Sequence, residues 1–141
     1  MRSIVKFPDL RLKQTSKEIT LPNSNIQSII SDMEYYLKSN AVGMAAIQLG
    51  EPIRLIGLRY GVERIFLINP KIVKKSAQTY FSIEGCLSLG ENKYQVRRHK
   101  LIKVKAQTPD GKEVSYKGKD IFGAALQHEI DHLDGKLIND I

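Results

Sequence analysis

Residues 120–135 read DIFGAALQHEIDHLDG, and this stretch decides the fold prediction because it joins a helical pattern to a metal-ligand spacing. Asp120 is a residue type that caps helix N-termini, and Gly135 is one that follows helix C-termini. The sequence therefore predicts a helix from residue 120 to about residue 134. One face of this helix is expected to point into the protein, and it carries Ile121, Ala124, Ala125, His128 and His132.

Residues 128–132 of this helix match the pattern H-E-x-x-H. Side chains four residues apart on a helix project side by side, so His128 and His132 can share one metal ion. Glu129 is then placed to move protons for a metal-bound water. A chance match is the alternative interpretation. It is disfavoured because the chain has three histidines and two of them fall at ligand spacing on the apolar face.

A catalytic metal site needs a third protein ligand, and the sequence places this ligand upstream of the helix. Residues 133–141 are too few for the downstream helix on which many metallopeptidases carry a glutamate ligand. In the longer pattern H-E-x-x-H-x-x-G-x-x-H the last position falls on Ile138, which cannot bind a metal.

Besides carboxylates, two upstream side chains compete for the third ligand position. His99 lies in the cationic run RRHK at residues 97–100, which disfavours a nearby divalent cation. Cys86 lies in EGCLS at residues 84–88, where the glycine permits close backbone approach. A lone cysteine is more often a small buried apolar residue. A histidine pair that lacks one ligand nevertheless makes Cys86 the better candidate.

Residues 43–50, GMAAIQLG, form a third unusual segment. Two alanines between glycines indicate tight packing or a backbone exposed to a ligand. Gln48 stands in an apolar stretch, where its amide must find hydrogen bonds. A small-residue turn that leads into a strand is the competing interpretation.

The rest of the chain predicts a second helix and several short strands, which gives an α+β fold. After an extended arm over residues 1–22, Ser24 and Gln27 have the spacing of a capping box. Apolar residues then recur at helical steps: Ile26, Ile29, Ile30, Met33 and Leu37. Strands are predicted at residues 53–58, at 65–68 up to Asn69-Pro70, at 79–83, at 101–106 and, after a turn at 108–111, at 112–116. We expect short antiparallel strands to pack around the H-E-x-x-H helix.

Composition restricts the class of protein. The length of 141 residues predicts a single domain over residues 1–141. No apolar run approaches the roughly 18 residues of a membrane span, and the N-terminus lacks the apolar core of a signal peptide. One cysteine excludes an internal disulfide, so we expect a reducing, cytoplasmic location and no membrane partner. A net charge of +7 is compatible with an anionic partner.

Together the three segments resemble the peptide deformylases, whose motifs G-x-G-x-A-A-x-Q, E-G-C-x-S and H-E-x-x-H follow in this order. Here residues 41–48 read AVGMAAIQ, residues 84–88 read EGCLS and residues 127–132 read QHEIDH. The resemblance extends to KFPD at residues 6–9 and to Asn69-Pro70, and so covers nearly the whole chain. It implies a hydrolase that removes the formyl group from the N-terminal methionine of new polypeptides and releases formate.

The resemblance assigns roles to the residues that form the predicted metal site. It makes Cys86, His128 and His132 the ligands of one divalent ion, with water in the fourth position. The hydroxide held by the metal attacks the formyl carbon, and Glu129 moves the proton to the leaving amine. The native metal of the family is ferrous iron, and zinc, nickel or cobalt can replace it.

The resemblance also assigns the groups that contact the substrate. The oxyanion accepts hydrogen bonds from the Gln48 side chain and the Leu87 backbone N–H. Glu84 and Arg98 match positions that pair in the family and support the site. The substrate-binding positions are Val42, Gly43, Glu84, Gly85, Ile121, Ala124 and Ala125, among which Val42 and the three helix residues are expected to line the methionine pocket.

The chain departs from the family pattern in three places. Ala41 replaces a usual glycine, and Leu89-Gly90 replaces an aliphatic residue and proline beside the cleft. The sequence resembles a short form without the C-terminal helix that contacts the ribosome in many bacterial members, as in some bacteriophages. We therefore expect a monomer whose contact with the ribosome, if made, uses a basic surface and not that helix.

Two other functions compete with deformylation. An ordinary zinc peptidase would cleave internal peptide bonds, but the missing downstream ligand disfavours it. A basic RNA- or ribosome-binding domain with a structural metal would use Lys74-Lys75 and residues 97–100. Structural metal sites usually have four protein ligands, and three good ones are visible, so an open catalytic site fits better. For the cationic run, a solvated strand edge is the favoured interpretation.

Overall fold

An antiparallel sheet with helices against both of its faces forms the centre of the molecule. The structure, a computed structural model, describes residues 1–38 and 41–140. The helices are α1 (Ile26–Leu37) and α2 (Asp120–Leu133). The strands are β1 (Gly43–Ala45), β2 (Leu55–Tyr60), β3 (Glu63–Lys75), β4 (Thr79–Glu84), β5 (Tyr94–His99), β6 (Leu101–Gln107) and β7 (Glu113–Lys119). The main sheet has the order β1-β2-β3-β6-β7, and β4 pairs with β5 in a separate two-stranded sheet. The predicted α+β class is confirmed.

Strand β2 positions both helices because its side chains alternate between two hydrophobic clusters. Leu55 packs with α1 and its neighbours, whereas Ile56 and Leu58 pack with α2 and the inner side of β6. All three side chains are fully buried. Burial on both faces explains why β2 is a run of apolar residues without polar alternation.

The apolar stripe of α1 is buried as predicted, but the predicted capping box is wrong. The helix begins one residue later than a Ser24 cap requires, with Asn25 at the N-cap position and no side-chain cap bond. The side chain of Asn23 instead accepts a hydrogen bond from the Asn25 N–H at 2.9 Å, and its carbonyl accepts one from Ile26. These bonds turn the chain before Gln27 can complete the box.

Strand β3 continues through Asn69-Pro70, where the sequence predicts a strand end. The register with β6 shifts between Ile68 and Lys71, which marks an irregularity of the β-bulge type. Asn69 has a φ of 51°, and its side chain exchanges two hydrogen bonds with the backbone of Ile19. Proline is tolerated in strands at bulges, so the pair bends the strand without ending it.

Helix α2 follows β7 directly. Lys119 takes the N-cap position and Asp120 is the first helical residue, with a φ of 54°, so the predicted Asp120 cap is wrong. Two glycines bring the strand and the helix into backbone contact: a Cβ on Gly118 would lie 2.9 Å from the Gly123 Cα. A Cβ on Gly123 would lie 2.8 Å from the Gly118 carbonyl carbon. Side chains at either position would separate the two elements.

The predicted hairpin of β6 and β7 is confirmed, with the Gly111 N–H bonded to the Thr108 carbonyl at 2.9 Å. The predicted strands differ at their ends from the observed ones, and β1 and β5 were not predicted as strands. The N-terminal arm carries a short 3-10 turn at Leu10–Lys13. Among the described helices, none combines the length and the apolar character needed to cross a membrane.

Candidate active site

Three predicted ligand side chains converge where α2 faces the connection between β4 and β5. The ligating atoms of Cys86, His128 and His132 all lie within 4.8 Å of one another. The Cys86 Sγ is 3.5 Å from the His132 Nε2. Metal bonds of about 2.0–2.3 Å at tetrahedral angles put ligand atoms roughly 3.3–3.8 Å apart, so this spacing fits one ion.

The surroundings of the two histidines suit metal binding. His128 donates from its Nδ1 to Glu84 Oε1 at 3.0 Å, and this bond leaves the Nε2 lone pair for a cation. Burial lowers the pKa of His132 to about 3, which keeps its imidazole neutral as a ligand must be. Burial opposes a charge on His128, but Glu129, Cys86 and Glu84 outweigh it and raise its pKa to about 10. The negative surroundings that favour a proton on His128 also favour a cation.

Glu84 belongs to a buried chain of charges behind His128. Arg98 donates two hydrogen bonds to the Glu84 carboxylate, at 2.8 and 2.6 Å, and one to Asp131 at 2.7 Å. Burial alone would raise the pKa of Glu84, but the bonds from Arg98 and His128 dominate and lower it to about 2. Glu84 therefore stays ionised and holds the His128 ring by its Nδ1–H.

Glu129 is buried beside the ligands and is not part of that chain of charges. Its Oε1 has no hydrogen-bond partner within the described part of the chain. Burial is the main cause that raises its pKa to about 7, which is near the range where a carboxyl group exchanges protons efficiently. Gly43 makes room for this side chain, since a Cβ there would lie 2.9 Å from Glu129 Oε2.

Gln48 has its hydrogen bonds supplied by the neighbouring turns, as its apolar surroundings require. Its Oε1 accepts the Ala45 N–H at 3.0 Å, and this bond fixes the orientation of the amide. Its Nε2 donates to Ser88 Oγ at 3.2 Å and lies 3.5 Å from Cys86 Sγ. Leu87 begins a 3-10 turn, so its N–H has no acceptor within that turn. Both predicted oxyanion donors thus lie next to Cys86, a predicted metal ligand.

Cys86 and His128, two of the three predicted ligands, line a cleft of about 710 Å³. Ala124 is buried in its wall, whereas Val42 and Ile121 are exposed at 43% and 74% and offer apolar surface to a ligand. Gly85 leaves room for a neighbouring side chain, because a Cβ there would lie 2.6 Å from Lys93 Nζ. All the predicted substrate-binding positions line this cleft: Val42, Gly43, Glu84, Gly85, Ile121, Ala124 and Ala125.

Two features of the site differ from what the sequence indicated. The run at residues 97–100 is not a solvated edge throughout, because Arg98 is buried in the charge chain and His99 bonds Ser76 and Gln127. The sequence did not identify Asp131 as the second partner of Arg98. Alternation in β5 is the signal that could have found the buried arginine, since Val96 and Arg98 share the inward face.

A buried acid beside three side chains that could hold a metal ion, next to an open cleft, is the arrangement of an H-E-x-x-H metal hydrolase. A family model described as polypeptide deformylase matches residues 1–141. The chain belongs to the peptide deformylase family.

Individual relatives agree with this membership. The peptide deformylase of Buchnera aphidicola subsp. Cinara cedri is 37% identical over 144 residues, which cover 99% of this chain and 97% of the relative. The crystal structure of peptide deformylase from Thermotoga maritima has a TM-score of 0.93 at 35% identity and covers 99% and 96% of the two chains. The Ehrlichia chaffeensis peptide deformylase in complex with actinonin has a TM-score of 0.92 at 32% identity and covers 99% and 87%.

Proposed function

We propose that this chain is a metal-dependent peptide deformylase, which hydrolyses the N-terminal formamide of nascent formyl-methionyl polypeptides to formate and a free amine. The observation that carries the proposal is the convergence of Cys86, His128 and His132 beside a buried Glu129. Membership of the deformylase family supports the same reaction. Residues 1–141 form one catalytic domain in this proposal.

Cys86, His128 and His132 would hold one divalent ion through a thiolate and two neutral imidazoles. When bound, the ion supplies a Lewis acid that lowers the pKa of water and polarises the formyl carbonyl. We propose ferrous iron as the native metal, with zinc, nickel or cobalt as substitutes. A mixed sulfur and nitrogen donor set supports this range of metals.

Glu129 moves the protons of the reaction. Its carboxylate accepts a proton from the attacking water and later delivers it to the leaving amine. Burial keeps the pKa of this group near neutrality, so both transfers are accessible at physiological pH. Gly43 lets the carboxylate reach the cleft without a steric conflict.

Gln48 and Leu87 stabilise the oxyanion that develops on the formyl oxygen. The Gln48 Nε2 and the Leu87 N–H donate to it from fixed backbone turns, so little reorganisation is needed. Val42, Ile121, Ala124 and Ala125 would enclose the methionine side chain, and Gly43 and Gly85 would contact the peptide backbone. Glu84 would act on the substrate indirectly, because its carboxylate is already bonded to Arg98 and His128.

The setting of the reaction is part of the proposal. Formylated nascent chains are the substrate, which supports a cytoplasmic location and access to the ribosome through a basic surface. We also propose that the protein is a monomer.

Replacement of Glu129 by Gln tests the reaction. We expect formate release from a short formyl-methionyl peptide to fall by about 10²–10⁴-fold, because the amide cannot exchange the proton. The metal content should stay unchanged, since Glu129 is not a proposed ligand. Asp134→Asn makes the same acid-to-amide change at the end of the same helix and should keep full activity. Full activity of Glu129→Gln would overturn the mechanism.

Two further measurements distinguish the deformylase from its alternatives. Actinonin should inhibit formate release, because a structural neighbour with a TM-score of 0.92 binds this compound. Mass spectrometry of a longer blocked peptide should detect no internal cleavage. Cleavage of internal bonds without release of formate would favour an ordinary zinc peptidase.

A further inference from the structure

Lysines form rows across three adjacent strands on the outer face of the sheet, away from the cleft. Lys74 of β3 lies opposite Lys103 of β6, which lies opposite Lys117 of β7. Lys71 lies opposite Lys105 in the next row. Directly opposed residues on antiparallel strands point to the same side of the sheet. The lysine face is defined by Lys71, Lys74, Lys103, Lys105, Lys117 and Lys119.

The core side chains of β6 show that these lysines point outward. Ile102, Val104 and Ala106 are buried and alternate with the lysines of β6. Lys103 is half-buried and the other five lysines are exposed. Neither described helix covers this part of the sheet, because α2 packs on the buried side and α1 packs near β1 and β2.

The charges of the lysine face are not neutralised within the described residues. None of the six lysines makes an ion pair or donates a side-chain hydrogen bond there. On β7 the acidic residue is Glu113, which lies opposite Gln107 at the end of the strand away from Lys117 and Lys119. Like charges directly opposite on neighbouring strands destabilise a sheet. A merely solubilising surface mixes both signs of charge, so this arrangement favours an anionic partner.

We propose that the lysine face binds the phosphate backbone of RNA. Neighbouring strands about 4.8 Å apart, with lysines two residues apart along β6 and β7, present an extended array of ammonium groups to a polyanion. The face has no aromatic side chain on which bases could stack, so recognition goes to phosphates and not to sequence. Leu101 and Val73 are its exposed large apolar residues, which is too little for insertion into a bilayer.

The basic surface continues along the part of β3 beyond Ile68, where the pairing with β2 has ended and this edge of the strand is free. A groove of about 720 Å³ beside this strand is lined by Lys71, Lys74, Lys75 and Lys136, among other residues. Its two carboxylates are already neutralised, since Asp131 pairs with Arg98 and Asp134 with Arg54. An RNA strand on the lysine face can therefore extend along this edge without meeting an unpaired acid. The inference rests on the proposed function at one point: a nascent chain is synthesised next to RNA, so a deformylase meets RNA where it finds its substrate.

The test compares two triple variants of the metal-loaded protein with equal net charge. The first variant reverses the charges of the central row, which consists of the mutually opposed Lys74, Lys103 and Lys117, by the substitutions Lys74→Glu, Lys103→Glu and Lys117→Glu. The control variant reverses three exposed lysines elsewhere, by Lys6→Glu, Lys17→Glu and Lys38→Glu. The probe is a fluorescein-labelled RNA duplex of about 16–20 base pairs, followed by anisotropy between about 50 and 200 mM salt. Formate release from a short formyl peptide and thermal unfolding are measured on the same samples.

We expect the wild type to bind the duplex with an affinity that falls as salt rises. The central-row variant should lose at least about tenfold in affinity, with a log–log salt slope reduced by about 2–3. The control variant should stay within about twofold. All proteins should release formate equally, which separates this inference from the proposed function. A variant with glutamine at the same three positions should lose less affinity for the duplex. It keeps the test valid if the variant with three glutamates does not fold.

Three results would overturn the inference. They are equal losses in the two glutamate variants, no binding of the duplex by the wild type, or binding to phosphatidylserine-containing vesicles in preference to RNA. Equal losses would mean that RNA affinity depends only on the net charge of the protein, and a preference for vesicles would assign the lysine face to a membrane surface.

Discussion

Two regions of this protein handle charge in opposite ways. Behind α2, Arg98 bonds to Glu84 and Asp131, and each buried charge has a partner within a few ångströms. On the lysine face, six cations have no such partner in the described chain. Burial explains the difference, because a desolvated charge must be compensated internally whereas an exposed one is compensated by water, salt or a ligand. The first region therefore contributes to the site and the fold, and the second is free to serve an external partner.

Removal of Cys86 should have the largest effect in the buried region. Cys86→Ala takes away a proposed ligand, so we expect formate release to fall by more than about a hundredfold, beyond the loss typical of residues that merely orient ligands. Anaerobic assays with ferrous iron or nickel, together with metal analysis after dialysis, measure the effect. Cys86→Asp offers an oxygen ligand and should retain part of the metal. Full metal content in Cys86→Ala would show that the thiolate is not a ligand.

Replacement of Arg98 should break the pairing that defines the buried region. Arg98→Met removes the cation that pairs with the buried Glu84 carboxylate and leaves only the bond from His128, which should cost about 3–5 kcal/mol in the free energy of unfolding. Arg97→Met is the matched control, since this exposed neighbour stacks 4.5 Å from the Phe81 ring and should cost about 0.5–1 kcal/mol. Urea unfolding at neutral pH gives both values. Equal losses would mean that the two arginines experience the same environment.

Charge reversal at Lys103 should stabilise the exposed region. Lys103→Glu turns two like-charge pairs, with Lys74 and Lys117, into opposite-charge pairs, each worth about 0.2–1 kcal/mol. Thermal unfolding at low salt should show a higher midpoint, and salt should reduce the gain by screening. Lys17→Glu, away from the sheet rows, should change the midpoint little. A lower midpoint for Lys103→Glu would show that the rows are not under repulsion.

Replacement of Asp32 should have the smallest effect on the free energy of unfolding. Its side chain is 15% exposed, which is more than Arg98 and less than the exposed lysines. Hydrogen bonds from the Arg2 backbone and side chain hold the pKa of Asp32 below its usual 3.8. A lowered pKa in the folded state stabilises the protein above about pH 3.8, and this contribution disappears as the pH falls through the folded value. Asp32→Asn should thus lose up to about 1 kcal/mol at pH 6 and less near pH 3, where the carboxyl of the unfolded chain is already largely protonated. Unfolding at the two pH values, with Glu34→Gln as the control on the same helix, measures this difference.

The sequence predicted the parts of the molecule that depend on local pattern or on the chemistry of one site. The helix that carries His128 and His132 follows from its periodicity, because helical spacing sets which side chains share a face. Cys86 follows from the requirement of a metal site for a third ligand. The α+β class follows from short strand patterns between two helices.

The features that the sequence missed depend on contacts between distant segments. Strand β3 passes Asn69 because that side chain bonds Ile19, fifty residues earlier in the chain. The resemblance paired Glu84 with Arg98, but nothing in the sequence indicated Asp131, which receives the same arginine from helix α2. The basic run at residues 97–100 has the composition of a solvated segment, and only the three-dimensional structure shows that Arg98 points inward. Local propensity cannot anticipate such partners.

The contact between Gly118 and Gly123 joins the two regions compared above. Gly118 lies in the strand that ends the lysine face, and Gly123, five positions later, lies in the helix that carries His128; the two backbones are in direct contact. No side chain lies between them to absorb a displacement. A displacement of the strand would therefore move the helix with it, and with the helix the position of His128 and His132 relative to Cys86.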